Sequence, residues 1–238
     1  MKSSLIVTGL LLFSKLASAS QVVLSPLDHL YVPAGYDSND AVEVVVTGAF
    51  PNPCYSRNQV EVRVKDALID IRVTSLAPAS GPKSASIVCP QMIVPFKEVV
   101  SIGNLQGGKY LVRVNAQGRN KLLDTLTVAE ASSSAIDDHV YSAIEWVEQK
   151  GANQFVLHGV RYSPCFELAD IKAVSNGKDT VSLLPIMRQV SDFCPMKGMP
   201  VSYPVRLDFS SLKTRRPLLH VRTLDGKSVN SIVNFGSR

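Results

Sequence analysis

Apolar and polar residues alternate with a period of two in many short stretches of the chain. The clearest stretches are residues 42–46, 60–64, 69–73, 110–114 and 122–128, and then 155–157, 171–174, 181–184, 205–207 and 231–233. Gly, Pro, Asn and Ser residues separate them. Period two places one side of a segment in a core and the other in water, which is typical of half-buried antiparallel strands. The pattern therefore predicts an all-β fold of the sandwich or barrel type.

The same pattern occurs twice along the chain, with an offset of 105 to 111 residues. The matched segments are 28–31 with 138–141, Gly48 with Gly159, 53–54 with 164–165, 89–90 with 194–195, and 112–114 with 219–221. Each unit has about the usual size of one domain. The repeat predicts two β-sandwich domains, residues 20–128 and 137–238, joined by the small, polar linker 129–136.

Residues 138–149 fit two interpretations. Val140, Ile144 and Val147 are spaced by four and three residues, which would suit an amphipathic helix. The matching segment 28–38 contains Pro33 and Gly35, and proline removes a hydrogen-bond donor that a helix needs. We therefore predict that both segments are extended.

The first 19 residues have the features of a secretory signal peptide. Lys2 gives a positive start, residues 5–13 form a short apolar run, and residues 17–19 read Ala-Ser-Ala, which suits cleavage after Ala19. No later run reaches the roughly 18 to 20 apolar residues that a membrane-spanning helix needs. We expect an exported, soluble protein, either periplasmic or extracellular.

The charge of the remaining chain does not predict a nucleic-acid partner. Without the signal peptide, 23 of the 25 Lys and Arg residues remain against 20 Asp and Glu. The densest basic segment holds Lys213, Arg215 and Arg216, and no aromatic residues are interleaved for stacking on bases. These are expected to be solvated loop charges.

Four cysteines allow three disulfide connectivities. Equivalent cysteines in two independently folding repeats should close equivalent bonds, which selects Cys54 with Cys89 and Cys165 with Cys194. Each loop would contribute about 3 to 4 kcal/mol by the chain-entropy estimate. No Cys-x-x-Cys motif occurs, and an exported protein forms disulfides in an oxidising compartment. A structural role is therefore predicted for all four.

Residues 105–114 read Leu-Gln-Gly-Gly-Lys-Tyr-Leu-Val-Arg-Val. This stretch resembles the Leu-x-x-Gly-x-Tyr-x-Val-x-Val segment of immunoglobulin-like and fibronectin type III-like sandwiches, in which the Tyr hydroxyl ties a corner loop to the next strand. The second unit departs from it, with Pro217 and Leu218 near the Tyr position. The pair as a whole resembles uncharacterised exported bacterial proteins built from tandem modules of this kind. The resemblance implies two tandem immunoglobulin-like antiparallel β-sandwich domains and no particular activity.

Residues with catalytic or ligand-binding potential are few. The pairs Asp28-His29 and Asp138-His139 recur, and each could bind a ligand or form a polar strand end. Met187, Met196 and Met199 could bind Cu(I) or fill core gaps. No Gly-x-Ser-x-Gly motif is present. Without known geometry, the presence of Ser, His and acidic residues in the chain does not predict a hydrolase. We predict no metal and no cofactor.

A non-catalytic binding or structural module is the favoured function, acting through loops or strand edges in envelope scaffolding, adhesion or partner capture. Segments 76–86 and 187–199 are the candidate contact regions, and the partner is expected to be a protein or a cell-envelope component. The candidate interaction residues are Arg188, Lys197, Met196 and Met199. One alternative is a protease inhibitor that offers Arg188 or Lys197 to a protease. Another is a hydrolase with a cryptic site.

Overall fold

A computed structural model describes residues 20–79, 88–118, 121–135 and 137–235. In the N-terminal half, residues 20–135, the strands are β1 (Gln21–Leu24), β2 (Leu27–Tyr31), β3 (Tyr36–Asp37), β4 (Val42–Phe50), β5 (Ser56–Lys65), β6 (Leu68–Ala77), β7 (Val94–Gly103), β8 (Gly108–Val114) and β9 (Leu122–Ala129). In the C-terminal half, residues 137–235, they are β10 (Val140–Tyr141), β11 (Ala143–Gly151), β12 (Gln154–Arg161), β13 (Phe166–Ser175), β14 (Thr180–Gln189), β15 (Met199–Arg206), β16 (Leu218–Thr223) and β17 (Lys227–Ile232).

The predicted all-β fold is confirmed. Every stretch predicted from period two lies wholly or mostly within a strand, and the ambiguous residues 138–149 are extended, forming β10 and most of β11. The only helical element among the described residues is a short 3₁₀ turn, Leu224–Gly226. None of these residues forms a helix long and apolar enough to cross a membrane.

Each half contains one large and one small sheet, with matching strand connections. In the large sheet of the N-terminal half, β6 pairs with β5 along one edge and with β8 and then β1 along the other. Strand β9 pairs with the free edge of β8. Strands β2, β4 and β7 form the small sheet. In the C-terminal half, β14 pairs in the same way with β13, β16 and β10, β17 follows β16, and β11, β12 and β15 form the small sheet.

The pairing departs from a fully antiparallel scheme at three places. Strands β6 and β8 are parallel, as are β14 and β16, and β3 joins β9 in a parallel pairing. Parallel neighbours need a crossover connection. The chain supplies it by crossing to the small sheet, as β7 or β15, before it returns to the large sheet.

Each half buries its own hydrophobic core between its two sheets. In the N-terminal half Val44, Val46, Ile71 and Val112 belong to one cluster, and in the C-terminal half Leu157, Leu183 and Val221 belong to another. Alternate residues of these strands face inward, as period two requires. Both cores follow from the sequence pattern.

Two glycines mark equivalent positions in the halves. A Cβ atom on Gly48 would lie 2.1 Å from the carbonyl oxygen of Pro26, and one on Gly159 would lie 2.0 Å from that of Ala143. Only glycine fits where two backbones approach so closely. Pro26 and Ala143 are thus counterparts. His29 comes after Pro26 in the chain, whereas His139 comes before Ala143. The two Asp-His pairs therefore occupy different positions in their sandwiches.

The predicted disulfides are confirmed, Cys54 with Cys89 and Cys165 with Cys194. The corner tyrosine also forms the contact implied by the resemblance, because the Tyr110 hydroxyl donates to the carbonyl oxygen of Gln106 at 2.8 Å. Each disulfide joins two loops of one half, and Tyr110 fixes the loop before β8 to that strand.

The two halves pack face to face. The outer side of the N-terminal small sheet lies against the outer side of the C-terminal large sheet, and Tyr31, Val45, Leu218 and Ile232 form an apolar cluster between them. This contact explains why every residue of β16 is buried, since one side faces its own core and the other faces the N-terminal half.

Candidate functional site: an apolar cleft beside the second disulfide

A cleft of about 260 Å³ opens beside the Cys165–Cys194 disulfide. Its walls come from the start of β11, the end of β12 and the segment that leads to β15. Large apolar side chains that line it are exposed, with Met196 84% and Val140 46% exposed. The lining residues include Val140, Tyr141, Ser142, Ala143, Val160, Arg161, Tyr162, Ser163, Phe166, Met187, Cys194 and Met196. The cleft is predominantly apolar, as is usual for binding sites.

Two polar groups in this cleft lack partners. The Nε atom of Arg161 and the Oγ atom of Ser142 are buried and accept or donate no hydrogen bond within the described part of the chain. The Arg161 guanidinium reaches the carbonyl oxygen of Phe166 at 3.3 Å and the sulfur of Met199 at 3.9 Å, and no described carboxylate lies within 4.0 Å of it. Buried polar groups are usually satisfied, so these two call for an explanation.

The N-terminal half has a second cleft at the equivalent place, of about 570 Å³, without such groups. Its lining is Val23, Leu24, Pro26, Ala49, Phe50, Pro51, Tyr55 and Ile93. Phe50 follows Gly48 by two residues, as Arg161 follows Gly159. Ser25 is the counterpart of Ser142, and its Oγ hydrogen-bonds the Oγ of Ser75 at 2.5 Å.

The strand register explains why Ser142 has no such partner. Val23 pairs with Ser75 in the N-terminal half, and Val140 pairs with Met187 at the corresponding position. A thioether thus replaces the hydroxyl group that satisfies Ser25. Two differences between the halves, Arg161 for Phe50 and Met187 for Ser75, give the C-terminal cleft its unpaired cation and hydroxyl.

The structure brings some of the predicted interaction residues to this cleft. Met196 lines it, and the sulfur of Met199 touches Arg161 beside it. Arg188 lies within β14, paired in register with Glu167 on β13, and is not on a loop. Lys197 is exposed, with its backbone N–H bonded to the carbonyl oxygen of Tyr162 at 2.8 Å. Most of the predicted contact segment 76–86 lies outside the described residues.

Sequence reasoning missed Arg161 and Ser142. Each looks ordinary alone, and their lack of partners appears only when β10, β12 and β14 come together. One usable signal was present, because the repeat offset of 111 aligns Phe50 with Arg161. An arginine in place of a core-facing phenylalanine at the end of a strand indicates a special site.

A second polar cluster lies between the two halves. Arg222 on β16 is 5% exposed and forms a two-pronged ion pair with Asp40, itself 1% exposed. Asp137 adds a third contact at 3.1 Å, and Tyr141 lies under the guanidinium group at 4.6 Å from ring centroid to Cζ. These charges are satisfied by one another, so the cluster joins the halves.

His220 occupies the same interface. Its Nδ1 lies 2.9 Å from Asn230 Oδ1 and its Nε2 lies 3.2 Å from the Tyr36 hydroxyl. Burial lowers the pKa of His220 below its usual value, although Glu43 at 3.5 Å acts in the opposite direction. Burial likewise raises the pKa of Tyr36 well above its usual value. A neutral imidazole and a neutral phenol therefore fill this part of the interface.

The two Asp-His pairs have structural contacts. His29 bridges to the C-terminal half, with its Nε2 2.8 Å from Asp179 Oδ2. Asp138 accepts hydrogen bonds from Ser132, Ser133 and Asn39, which lower the pKa of its carboxyl group and hold the linker. No group of three or more His, Cys, Asp or Glu residues within the described ranges is arranged to bind a metal.

The fold defines a β-sandwich protein, an architecture that suits a structural or binding module. The comparison with known families agrees with this class. Residues 44–124, from β4 to the beginning of β9, match the model of the ORF11 beta-sandwich domain. No curated protein and no solved structure matches the chain.

Proposed function

We propose that this protein is an exported module of two duplicated, immunoglobulin-like sandwiches that captures a partner protein through the cleft beside Cys165–Cys194. The occupant is an apolar segment of the partner that carries a carboxylate. The unpaired Arg161 in an apolar cleft carries this proposal. Capture at this site requires no bond to be made or broken.

The matching strand connections and the close approaches at Gly48 and Gly159 support the duplication. The signal-like residues 1–19 and the two formed disulfides support export to an oxidising compartment outside the cytoplasm, where envelope scaffolding or adhesion would occur. Mass spectrometry of the secreted protein tests export, with a mature N-terminus at Ser20 expected.

The chemistry of the cleft defines the occupant. The exposed side chains of Val140, Tyr162 and Met196 favour an apolar ligand, since contiguous exposed apolar surface marks interaction sites. Arg161 presents a planar guanidinium that suits two-pronged binding of a carboxylate. The Ser142 hydroxyl adds a donor. An apolar peptide with a free C-terminus or an acidic side chain satisfies all three features.

Calorimetric titration of the full mature protein tests this proposal. The probes are an N-acetylated hexapeptide of Leu and Ser with a free C-terminal carboxylate and its C-terminal amide. Because a hydrogen bond to a charged group contributes about 1.5 to 3 kcal/mol, the acid should bind at least about tenfold more tightly. Equal affinity for the two peptides would contradict the proposal.

Arg161→Phe is the matched variant, because it gives the cleft the residue of its N-terminal counterpart. It should abolish the preference for the acid while the apolar contacts stay. Arg188→Ala, which removes an exposed ion pair outside the cleft, should leave both affinities unchanged. If octanoate binds in an Arg161-dependent manner and neither peptide does, the partner is a lipid and the proposal is wrong.

A further inference from the structure

The outer side of the C-terminal small sheet carries a row of polar and aromatic side chains. Strand register places Trp146 opposite His158 and His158 opposite Ser202, across β11, β12 and β15. The indole of Trp146, 49% exposed, stacks on the imidazole with ring centroids 3.9 Å apart and an angle of 12° between the planes. The stacking fixes the plane of the imidazole at the centre of the row.

Glu148 completes a hydrogen-bonded chain. His158 Nε2 lies 3.1 Å from Glu148 Oε2, and His158 Nδ1 lies 2.9 Å from Ser202 Oγ. A carboxylate only accepts, so Nε2 carries the proton on the Glu148 side. The lone pair of Nδ1 then faces the hydroxyl group of Ser202. This is the arrangement in which an imidazole can take a proton from a serine.

The positive charge of Lys150 keeps Glu148, the acid of this hydrogen-bonded chain, ionised. Lys150 Nζ lies 2.5 Å from Glu148 Oε1. The hydrogen bonds from Lys150 and then from His158 lower the pKa of Glu148 below its usual value. An ionised Glu148 holds the imidazole in the one tautomer that leaves Nδ1 free to act as a base.

The backbone of Ser202 supplies a further donor. Pro200 and Pro204 have no N–H, and they pair with Val160 and Val156 on β12. These pairs must be the ones without ladder hydrogen bonds, since proline cannot donate. Ser202 lies two residues from each proline, so its N–H points away from β12 toward the other edge of β15. Within the described ranges no strand pairs with that edge.

We propose that Ser202 is an acyl-accepting nucleophile, that His158 is its general base, and that Glu148 is a positioning residue for His158. The substrate class is activated esters with small apolar acyl groups, which can lie on Pro200 and Pro204 beside the serine. The site lies on an open sheet face and is independent of what occupies the cleft.

The reaction balances without any further group. Ser202 Oγ attacks the ester carbonyl carbon while its proton passes to His158 Nδ1, and the carbonyl oxygen gains negative charge near the N–H of Ser202. The tetrahedral intermediate then expels the alcohol oxygen of the ester, which takes the proton from Nδ1. The product is acyl-Ser202, which water hydrolyses by the same proton transfers in reverse.

Labelling of the mature protein with p-nitrophenyl acetate, read by peptide mass spectrometry and release of p-nitrophenolate, tests this proposal. An acetyl adduct should appear on Ser202. General base catalysis contributes about 10² to 10⁴-fold, so His158→Gln should slow acylation of Ser202 by at least about a hundredfold. Ser202→Ala should remove the adduct. Ser101→Ala, at an exposed serine on β7, should leave labelling of Ser202 unchanged.

Glu148→Gln separates a positioning role from a purely structural one. Loss of the carboxylate destabilises the protonated imidazole, so the midpoint of the pH–rate profile should move to lower pH. Circular dichroism of each variant confirms that the fold is retained. The proposal is overturned if the adduct forms only on lysines, if His158→Gln labels Ser202 at the wild-type rate, or if the Glu148→Gln profile does not move.

Discussion

The outer sides of the two large sheets occupy equivalent positions but have opposite surroundings. In the N-terminal half the register pairs Asp70 with Arg113, and these side chains form an ion pair at 2.5 Å that is more than a third exposed. In the C-terminal half the corresponding pair is Ser182 with His220, both are fully buried, and His220 contacts Tyr36 of the N-terminal half. One backbone arrangement therefore supports a water-facing side and a protein-facing side.

The difference shows how outward-facing positions determine whether a sheet is solvated or covered. Charged residues that pair with each other keep the N-terminal sheet in water at little energetic expense. The outward residues of β16 are Leu218, His220 and Arg222, of which two are polar and demand partners when buried. Those partners, Tyr36 and Asp40, come from the other half. The interface is therefore specific as well as apolar.

Arg222→Ala should have the largest effect on this comparison. It leaves Asp40 buried without its counterion, and breaking a buried pair in this way costs about 3 to 5 kcal/mol. Urea unfolding followed by circular dichroism measures the loss. Arg113→Ala, which breaks the exposed pair on the N-terminal sheet, is the matched control and should shift the midpoint little. Equal shifts in the two variants would show that the buried pair does not stabilise the interface.

Most of the fold could be predicted from the sequence because burial on one side of a strand leaves a period of two. The stretches around Val44, Val62, Ile71 and Val112 were recognised in this way, and equivalent cysteines selected the disulfides. The parallel pairings were not predicted, because period two reports which side is buried and not which strand lies alongside. Residues 44–46 depart from period two, because Val45 is buried in the interface between the halves while Val44 and Val46 face the core.

The candidate sites could be predicted only in part. Met196 is a candidate interaction residue from the sequence, but Arg161 becomes notable only when its missing counterion can be seen. His158 and Ser202 are 44 residues apart in the chain, and no local motif relates them. Strand register alone brings them into contact. Sites assembled across strands leave no signal at fixed spacing in a single sequence.

The next largest effect is expected from the double variant Cys165→Ser/Cys194→Ser. Opening a loop with a sequence separation of 29 residues should lower the free energy of unfolding by about 3 to 4 kcal/mol. Trp146 is the one tryptophan of the chain and reports on the C-terminal half. Because the buried interface couples the halves, Trp fluorescence and far-UV circular dichroism should give one coincident transition.

Cys54→Ser/Cys89→Ser is the matching variant in the N-terminal half, with a separation of 35 residues. It should move the Trp146 transition by a similar amount, although the broken bond lies in the other half. An unchanged Trp146 midpoint would mean that the two sandwiches unfold independently.

The smallest expected effect is a pH dependence that comes from His220. Burial lowers its pKa in the folded protein, whereas an unfolded histidine titrates near about 6.5. Below that pH the unfolded chain binds the proton more readily, so the free energy of unfolding falls as the pH decreases. Each unit of difference between the two pKa values contributes about 1.4 kcal/mol.

The groups that face the imidazole of His220 are Tyr36, Glu43 and Asn230, and Glu43 is the one carboxylate among them. His220→Gln should flatten the decrease in unfolding free energy between about pH 7 and pH 5, since glutamine does not titrate. His139→Gln, at an exposed histidine, should retain the wild-type slope. If His139→Gln flattens the slope and His220→Gln does not, the buried interface is not the source of the pH dependence. The part of the slope that His220→Gln removes therefore reports on the burial of this imidazole between the two sandwiches.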